Sequence, residues 1–140
     1  MTTTPASRRV EPPIGPASEG FWEATRERRL VVQWCLDCDG PVFYPRERCP
    51  GCFGERLEWR PCRGTGTVYS FTVNHLSPDP AGGDGPFVVA LVELAEGHRM
   101  MSNIVGPPEQ VSVGMPVQVT WEPLPDGRHY PLFEPARAAP

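Results

Sequence analysis

The cysteines are the residues of this sequence whose type and spacing point most directly to chemistry. Four of the five form two C-x-x-C pairs, Cys35 with Cys38 and Cys49 with Cys52, with ten residues between the pairs. This spacing is typical of a tetrahedral zinc site with four thiolate ligands, and an iron centre would use the same ligands. A closed four-cysteine site has no open coordination position. We therefore expect one structural zinc ion per chain rather than a catalytic metal.

The segment around these cysteines is predicted to be a zinc ribbon. It spans about 30 residues, too few to bury a core of its own, so metal binding has to supply much of the folding free energy. Gly40 and Gly54 each lie two residues after the second cysteine of a pair. Glycine permits unusual backbone dihedral angles, so we expect these two residues to shape the turns that aim the sulfurs.

The elements that must position this site are predicted to be mainly β-strands. The chain has 140 residues, with 14 valines against 8 leucines and 2 isoleucines, and β-branched residues favour strands. One short strand enters the cysteine region and another leaves it, at 30–34 and 57–60. Five more follow, with a longer connection between the third and the fourth, at 67–74, 87–94, 99–105, 115–122 and 131–135. This pattern favours a five-stranded OB-fold barrel over an SH3-like barrel.

The predicted organisation has four parts: a flexible arm over 1–17, a short amphipathic helix over 18–29, the zinc ribbon over 30–62 and the barrel over 63–137. Ser18 can cap the helix at its start. Phe21 and Trp22 form an adjacent aromatic pair on it. Such a pair either packs on its own chain or docks on another protein, and we expect docking because an exposed Phe-Trp pair is unusual on a monomer.

Composition excludes several classes of function. All 13 basic residues are arginine, so lysine-based catalysis and a P-loop lysine are absent. The net charge of -4 argues against a general nucleic-acid binder. No apolar run is long enough to span a membrane, and the first residues lack the apolar segment of a signal peptide. We therefore expect a cytoplasmic protein, in which cysteines serve as thiols or metal ligands rather than disulfides.

A catalytic set is not evident from the sequence. Cys62 is the fifth cysteine, and no pattern ties it to His75, His98 or His129. A nucleophilic cysteine would need such a neighbour, so we expect Cys62 to be a small buried thiol and the chain not to be an enzyme.

Together, these segments resemble a known family, the bacterial and archaeal zinc-ribbon plus OB-fold proteins associated with acyl-CoA enzymes. The resemblance covers about 110 residues, beginning at Phe21-Trp22 and including the four ribbon cysteines. It continues through Arg63-Gly-Thr-Gly-Thr-Val-Tyr-Ser-Phe-Thr-Val73 and Pro86-Phe-Val-Val-Ala-Leu-Val-Glu-Leu94, and ends with Asn103-Ile-Val-Gly106 and Gly114-Met-Pro-Val117. It implies a rubredoxin-like zinc ribbon followed by an OB-fold. Cys62 departs from the family, which more often has serine there.

The resemblance also implies a role. Proteins of this family are similar to non-catalytic partners of thiolase-like enzymes and of the related aldolases in steroid side-chain breakdown. Other proteins of the family work with MaoC-type hydratases. It implies an accessory subunit for lipid or steroid metabolism, in a two-plus-two heterotetramer with a thiolase-like or aldolase partner. Four arginines near the ribbon are then candidates to contact CoA phosphates, or else solvated or partner-facing charges: Arg46, Arg48, Arg60 and Arg63.

A nucleic-acid-binding module is the alternative function. Zinc ribbons and OB-folds both occur in such proteins, and Tyr69, Phe71 and Phe87 are the aromatic residues that would stack on bases. The acidic composition and the absence of lysine argue against it.

Overall fold

A computed structural model describes residues 11–75 and 86–136, and residues 1–10 of the predicted arm lie outside it. One short helix, α1, spans Glu19–Thr25 and is followed by eight strands and one 3₁₀ turn at Pro108–Gln110. The strands are β1 (Val31–Cys35), β2 (Gly40–Val42), β3 (Leu57–Pro61), β4 (Thr65–Asn74), β5 (Phe87–Leu94), β6 (Arg99–Ile104), β7 (Pro116–Pro123) and β8 (His129–Pro135). The predicted fold class, a short helix and a ribbon followed by a five-stranded barrel, is confirmed.

The chain divides into two compact units. One contains the residues up to Arg63 together with Trp121–Pro131, and the other contains Gly64–Thr120 together with the residues from Leu132 onward. The predicted limits of 30–62 for the ribbon and 63–137 for the barrel stay a prediction, and the compact unit of the helix and the ribbon also includes Trp121–Pro131.

The ribbon is a three-stranded antiparallel sheet in the order β2-β1-β3. The central strand β1 is almost entirely buried, and Cys35 at its end pairs with Gly40 on one side and with Leu57 on the other. Sequence analysis did not predict β2, because its three residues include a proline and are too few to show alternation. The small core beside it consists of Cys35, Val42 and Cys49, with Leu57 packed against them.

Helix α1 is shorter than the predicted 18–29, because the chain turns at Arg28, whose φ is 56°. Ser18 does not cap the helix; its hydroxyl is hydrogen-bonded to the backbone of Gly15. The helix packs through its buried residues. The hydroxyl of the fully buried Thr25 donates to the Trp22 carbonyl (2.6 Å) and accepts from the backbone N–H of His129 (3.3 Å).

The second unit contains most of a closed barrel in the order β4-β5-β6-β8-β7, with β7 pairing back onto β4. β6 and β8 run parallel, with Ile104 opposite Phe133, as an OB-fold requires of its third and fifth strands. Burial alternates strictly along β5, so one face of this strand fills the interior. Phe133 and four valines form the centre of the core, namely Val68, Val88, Val92 and Val117.

Within residues 11–75 and 86–136, no helix has the length and apolar character that a membrane span requires.

Close backbone packing in the barrel leaves no space for a side chain at position 66, which is a glycine. A Cβ atom there would collide with the carbonyl oxygen of Glu93 on β5, whereas a Cβ at Gly40 would meet nothing within 4 Å. We expect Gly66→Ala to lower the free energy of unfolding by about 1–3 kcal/mol, because backbone cannot yield as a side chain can. Gly40→Ala should change it by less than about 0.5 kcal/mol. Urea denaturation of both variants tests this, and equal effects would contradict it.

Candidate metal centre

The two cysteine pairs occupy two similar turns at one end of the ribbon sheet. Cys35 is the last residue of β1, Cys38 lies in the turn to β2, and Cys49 and Cys52 lie in the loop between β2 and β3. Each turn is closed by a backbone hydrogen bond of 2.8 Å. The N–H of Asp39 donates to the carbonyl of Cys35 in the first, and that of Phe53 to Cys49 in the second.

The four sulfurs converge at distances that suit a tetrahedral metal. All lie within 4.8 Å of one another, with Cys35 Sγ and Cys52 Sγ 3.7 Å apart and Cys38 Sγ and Cys49 Sγ 3.8 Å apart. A zinc–sulfur bond of about 2.3 Å in a tetrahedron places two sulfurs about 3.8 Å apart. The geometry therefore fits zinc bound by Cys35, Cys38, Cys49 and Cys52, as predicted.

Backbone N–H groups turned towards the sulfurs stabilise thiolates. Cys38 N lies 3.3 Å from Cys35 Sγ, and Gly51 N lies 3.3 Å from Cys49 Sγ. Backbone hydrogen bonds from Cys52 and Gly51 lower the pKa of Cys49 to about 7. Hydrogen bonding with the sulfurs of Cys52, Cys49 and Cys35 raises the pKa of Cys38 to about 12. Thiolates this close repel one another, and a bound divalent cation offsets that repulsion and displaces the thiol protons.

The left-handed residues of the two turns are not the glycines that sequence analysis indicated. Positive φ angles occur one residue earlier, at Asp39 (55°) and Phe53 (61°), directly after the second cysteine of each pair. A Cβ at Gly54 would be crowded, 3.2 Å from Cys52 Sγ and 3.0 Å from the Asp37 carboxylate. A Cβ at Gly40 would meet nothing, so that glycine is not needed for the turn.

The four arginines proposed as CoA-phosphate candidates do not all come together. Arg46 and Arg48 line one groove of about 380 Å³ beside the second turn. Arg48 forms an ion pair with Glu55 (2.7 Å). Arg60 lies on β3, where its guanidinium pairs with Glu58 (2.6 Å) and stacks over Trp34, and Arg63 follows the end of that strand.

The aromatic pair on α1 is divided between the interior and the surface. Phe21 is only 6% exposed, with its ring edge-on to Trp22 and 6.4 Å from that of Phe43. Trp22 is half-buried against Tyr130. The expectation that both rings lie on the surface is wrong for Phe21, because the helix packs within its own unit.

Sequence analysis did not single out Arg128, which is 3% exposed in the hairpin after β7. Its guanidinium forms an ion pair with Asp126 (2.6 Å) and lies over the Trp22 ring. Hydrogen bonds from Arg128 hold the pKa of Asp126 below its usual value. No local pattern marks Arg128, because its aromatic neighbour lies more than a hundred positions away in the sequence.

Cys62 lies outside the group of four sulfurs, half-buried, with its backbone N–H donating to Leu30 (2.8 Å). The His129 ring contacts the end of α1, since its Nδ1 lies 2.8 Å from the carbonyl oxygen of Thr25. Burial lowers the pKa of His98, which favours its neutral form.

A rubredoxin-like ribbon with four metal-ligating cysteines, followed by an OB-fold barrel, defines a class of two-part proteins. Two family models cover this arrangement in the chain. Residues 22–58 match "ChsH2, rubredoxin-like zinc ribbon domain", and residues 59–122 match "ChsH2, C-terminal OB-fold domain".

Similar proteins place the chain more closely. A "DUF35 domain-containing scaffold protein" of Methanocaldococcus jannaschii is 36% identical over 105 residues, which cover 71% of this chain and 73% of that protein. A "Probable enoyl-CoA hydratase alpha subunit" of Thermomonospora curvata is 39% identical over 133 residues, or 94% of this chain. A "Benzoylsuccinyl-CoA thiolase subunit BbsA" of Thauera aromatica is 30% identical over 95 residues, covering 67% of this chain and 64% of that subunit.

A solved structure agrees with these matches. The chain aligns with the structure of "Ltp2-ChsH2(DUF35) aldolase" at a TM-score of 0.81 and 39% identity, covering 91% of this chain and all of that one. The chain therefore belongs to the DUF35 family of ChsH2-type zinc-ribbon and OB-fold proteins. It spans only 41% of the length of the hydratase alpha subunit.

The metal centre yields a direct test. Cys49→Ser removes one of the four ligands, and we expect zinc content to fall well below one ion per chain. The melting temperature should fall as well, because the ribbon core is too small to hold the sheet without the ion. Cys62→Ser makes the same chemical change outside the site and should retain one zinc. Elemental analysis and thermal unfolding measure both, and full zinc retention in Cys49→Ser would contradict the assignment.

Proposed function

We propose that this chain is a non-catalytic accessory subunit of an acyl-CoA-processing complex. The observation that carries the proposal is its match, over the full length of the other chain, to a structure of an aldolase complex. Relatives described as a scaffold protein and as a thiolase subunit support the same role. The zinc ion then has a structural task, which is to hold the ribbon in the shape that the partner contacts.

The chemistry of the described residues supports a non-catalytic role. Among residues 11–75 and 86–136, the four cysteines are the only group of three or more His, Cys, Asp or Glu side chains placed to hold a metal. Their ligand set is closed, so no position is open for a substrate. The name of the hydratase alpha subunit does not carry hydratase activity to this chain, which spans less than half of that protein.

The partner we propose is a thiolase-like or aldolase subunit, in a two-plus-two assembly that follows from the twofold symmetry of such enzymes. A MaoC-type hydratase is a further partner, supported by the hydratase relative. The pathway class is lipid or steroid side-chain breakdown. Since the cysteine pairs are arranged as metal ligands and not as disulfides, we also propose a cytoplasmic location.

The prediction that arginines contact CoA phosphates has little support, because only two of the four arginines come together. Arg46 and Arg48 share a groove, and guanidinium groups suit phosphate. Glu47 lines the same groove and Glu55 already pairs with Arg48, so the local positive charge is small. The pairing of Arg60 with Glu58 makes that residue a weaker candidate, and Arg63 does not line this groove.

The nucleic-acid alternative is not favoured. The chain carries a net charge of -4, whereas non-specific nucleic-acid binding depends on basic surface. Tyr69, one of the rings that would have to stack on bases, has the guanidinium of Arg99 3.7 Å from its centroid.

Reconstitution tests the proposed function. We expect the isolated chain to show no turnover of acyl-CoA esters, and the thiolase-like or aldolase protein of the same organism to gain activity when it is co-purified with this chain. Its match to a subunit of an aldolase complex is the reason for this expectation. The Cys49→Ser chain, lacking a stable ribbon, should restore much less activity. Turnover by the isolated chain, or a partner equally active without it, would sink the proposal.

A further inference from the structure

Phe53 combines two features that cost stability and bring no packing in return. Its side chain is 73% exposed, the largest exposed fraction among the exposed large hydrophobic residues of the described chain. Its backbone has a φ of 61°, a region that disfavours large side chains. The same position in the first cysteine turn holds Asp39, a residue type that tolerates this conformation. A strained and exposed aromatic residue points to a role outside the fold itself.

The turn that carries Phe53 is held rigidly. The N–H of Phe53 donates to the Cys49 carbonyl (2.8 Å), and its own carbonyl accepts from Arg48 Nη1 (3.2 Å). The preceding residue, Cys52, is a metal ligand, and the Cys49 N–H donates to the Gly54 carbonyl (3.0 Å). With zinc bound, the ring is therefore presented at low entropic cost, as an interface anchor requires.

Arg46 lines the same groove and is also held in place by hydrogen bonds. The side chain of Gln33, only 7% exposed, donates to the Arg46 carbonyl (2.8 Å) and accepts from the Arg46 N–H (2.7 Å). A buried glutamine thus uses both ends of its amide to hold one loop residue. The guanidinium of Arg46 has no hydrogen bond or ion pair to the described residues, so its charge is available to a partner.

We propose that the second cysteine turn, residues 46–53, is the element by which this chain docks on the enzyme subunit of its complex. Phe53 inserts into an apolar pocket of that subunit, and Arg46 pairs with an acidic side chain at the rim of the pocket. Aromatic residues and arginine are the types that most often dominate interface energetics. This inference rests on the proposed function and names its contact surface.

The charges of the groove favour a protein carboxylate over a phosphate ligand. Arg48 is neutralised by Glu55, and Glu47 lines the groove beside Arg46. A divalent zinc ion with four thiolates adds a net charge of about minus two next to Cys49. One uncompensated guanidinium beside an exposed ring suits a single carboxylate and an apolar pocket, whereas a phosphate dianion would face several negative groups.

The test separates binding from stability. Phe53→Asn keeps a residue that tolerates positive φ, so zinc content should be unchanged and the melting temperature equal or higher. Affinity for the thiolase-like or aldolase subunit, measured by calorimetry, should fall roughly thirtyfold. Arg46→Glu should weaken binding as well. Leu36→Ala, which truncates a 40% exposed side chain on the first turn, is the matched control and should bind as wild type does.

Each contrary result has its own meaning. If the wild-type chain does not bind the enzyme subunit, the proposed function fails. If wild type binds and Phe53→Asn binds equally well, this inference fails while the proposed function stands. Weakening by Trp22→Ala alone would place the docking element on α1 and overturn the inference. Loss of CoA binding in Phe53→Asn with unchanged subunit affinity would make the groove a nucleotide site and overturn it too.

Discussion

The convergence of four cysteine sulfurs on one metal ion is the interaction on which the ribbon depends. The sheet has one almost fully buried strand, β1, and the small core beside the site contains two of the ligands themselves, Cys35 and Cys49. Because this core is small, the metal supplies much of the stabilisation at this end of the sheet. The backbone N–H groups that face the sulfurs are arranged for thiolates, as a metal site of this kind requires.

The same constraint lets one turn be specialised without loss of the fold. The two cysteine turns share their closing hydrogen bonds and their left-handed residue, yet this residue is Asp39 in one turn and Phe53 in the other. The shared backbone path of the two turns therefore accepts different side chains at this position, even one that the conformation disfavours. A structural ion can serve recognition in this way, by holding an exposed ring in place for a partner.

A second set of contacts joins α1 to the hairpin between β7 and β8. Thr25 is fully buried and bonds to His129, and Arg128 is buried between Asp126 and Trp22. These residues are about a hundred positions apart in the chain. Tertiary packing thus removed Phe21 from the surface, where an exposed aromatic pair was expected.

The sequence by itself determined the metal ligands, the mainly β fold class and the order of ribbon and barrel. Cysteine spacing and the alternation of apolar and polar residues along β7 are local properties, readable over a few residues. Only the tertiary structure decided that β2 exists, that Asp39 and Phe53 rather than glycines adopt the left-handed angles, and that Arg46 and Arg48 share a groove while Arg60 does not. It also decided that the hairpin over Trp121–Pro131 joins the helix and ribbon. These features depend on which distant residues come into contact, and a local pattern carries no information about that.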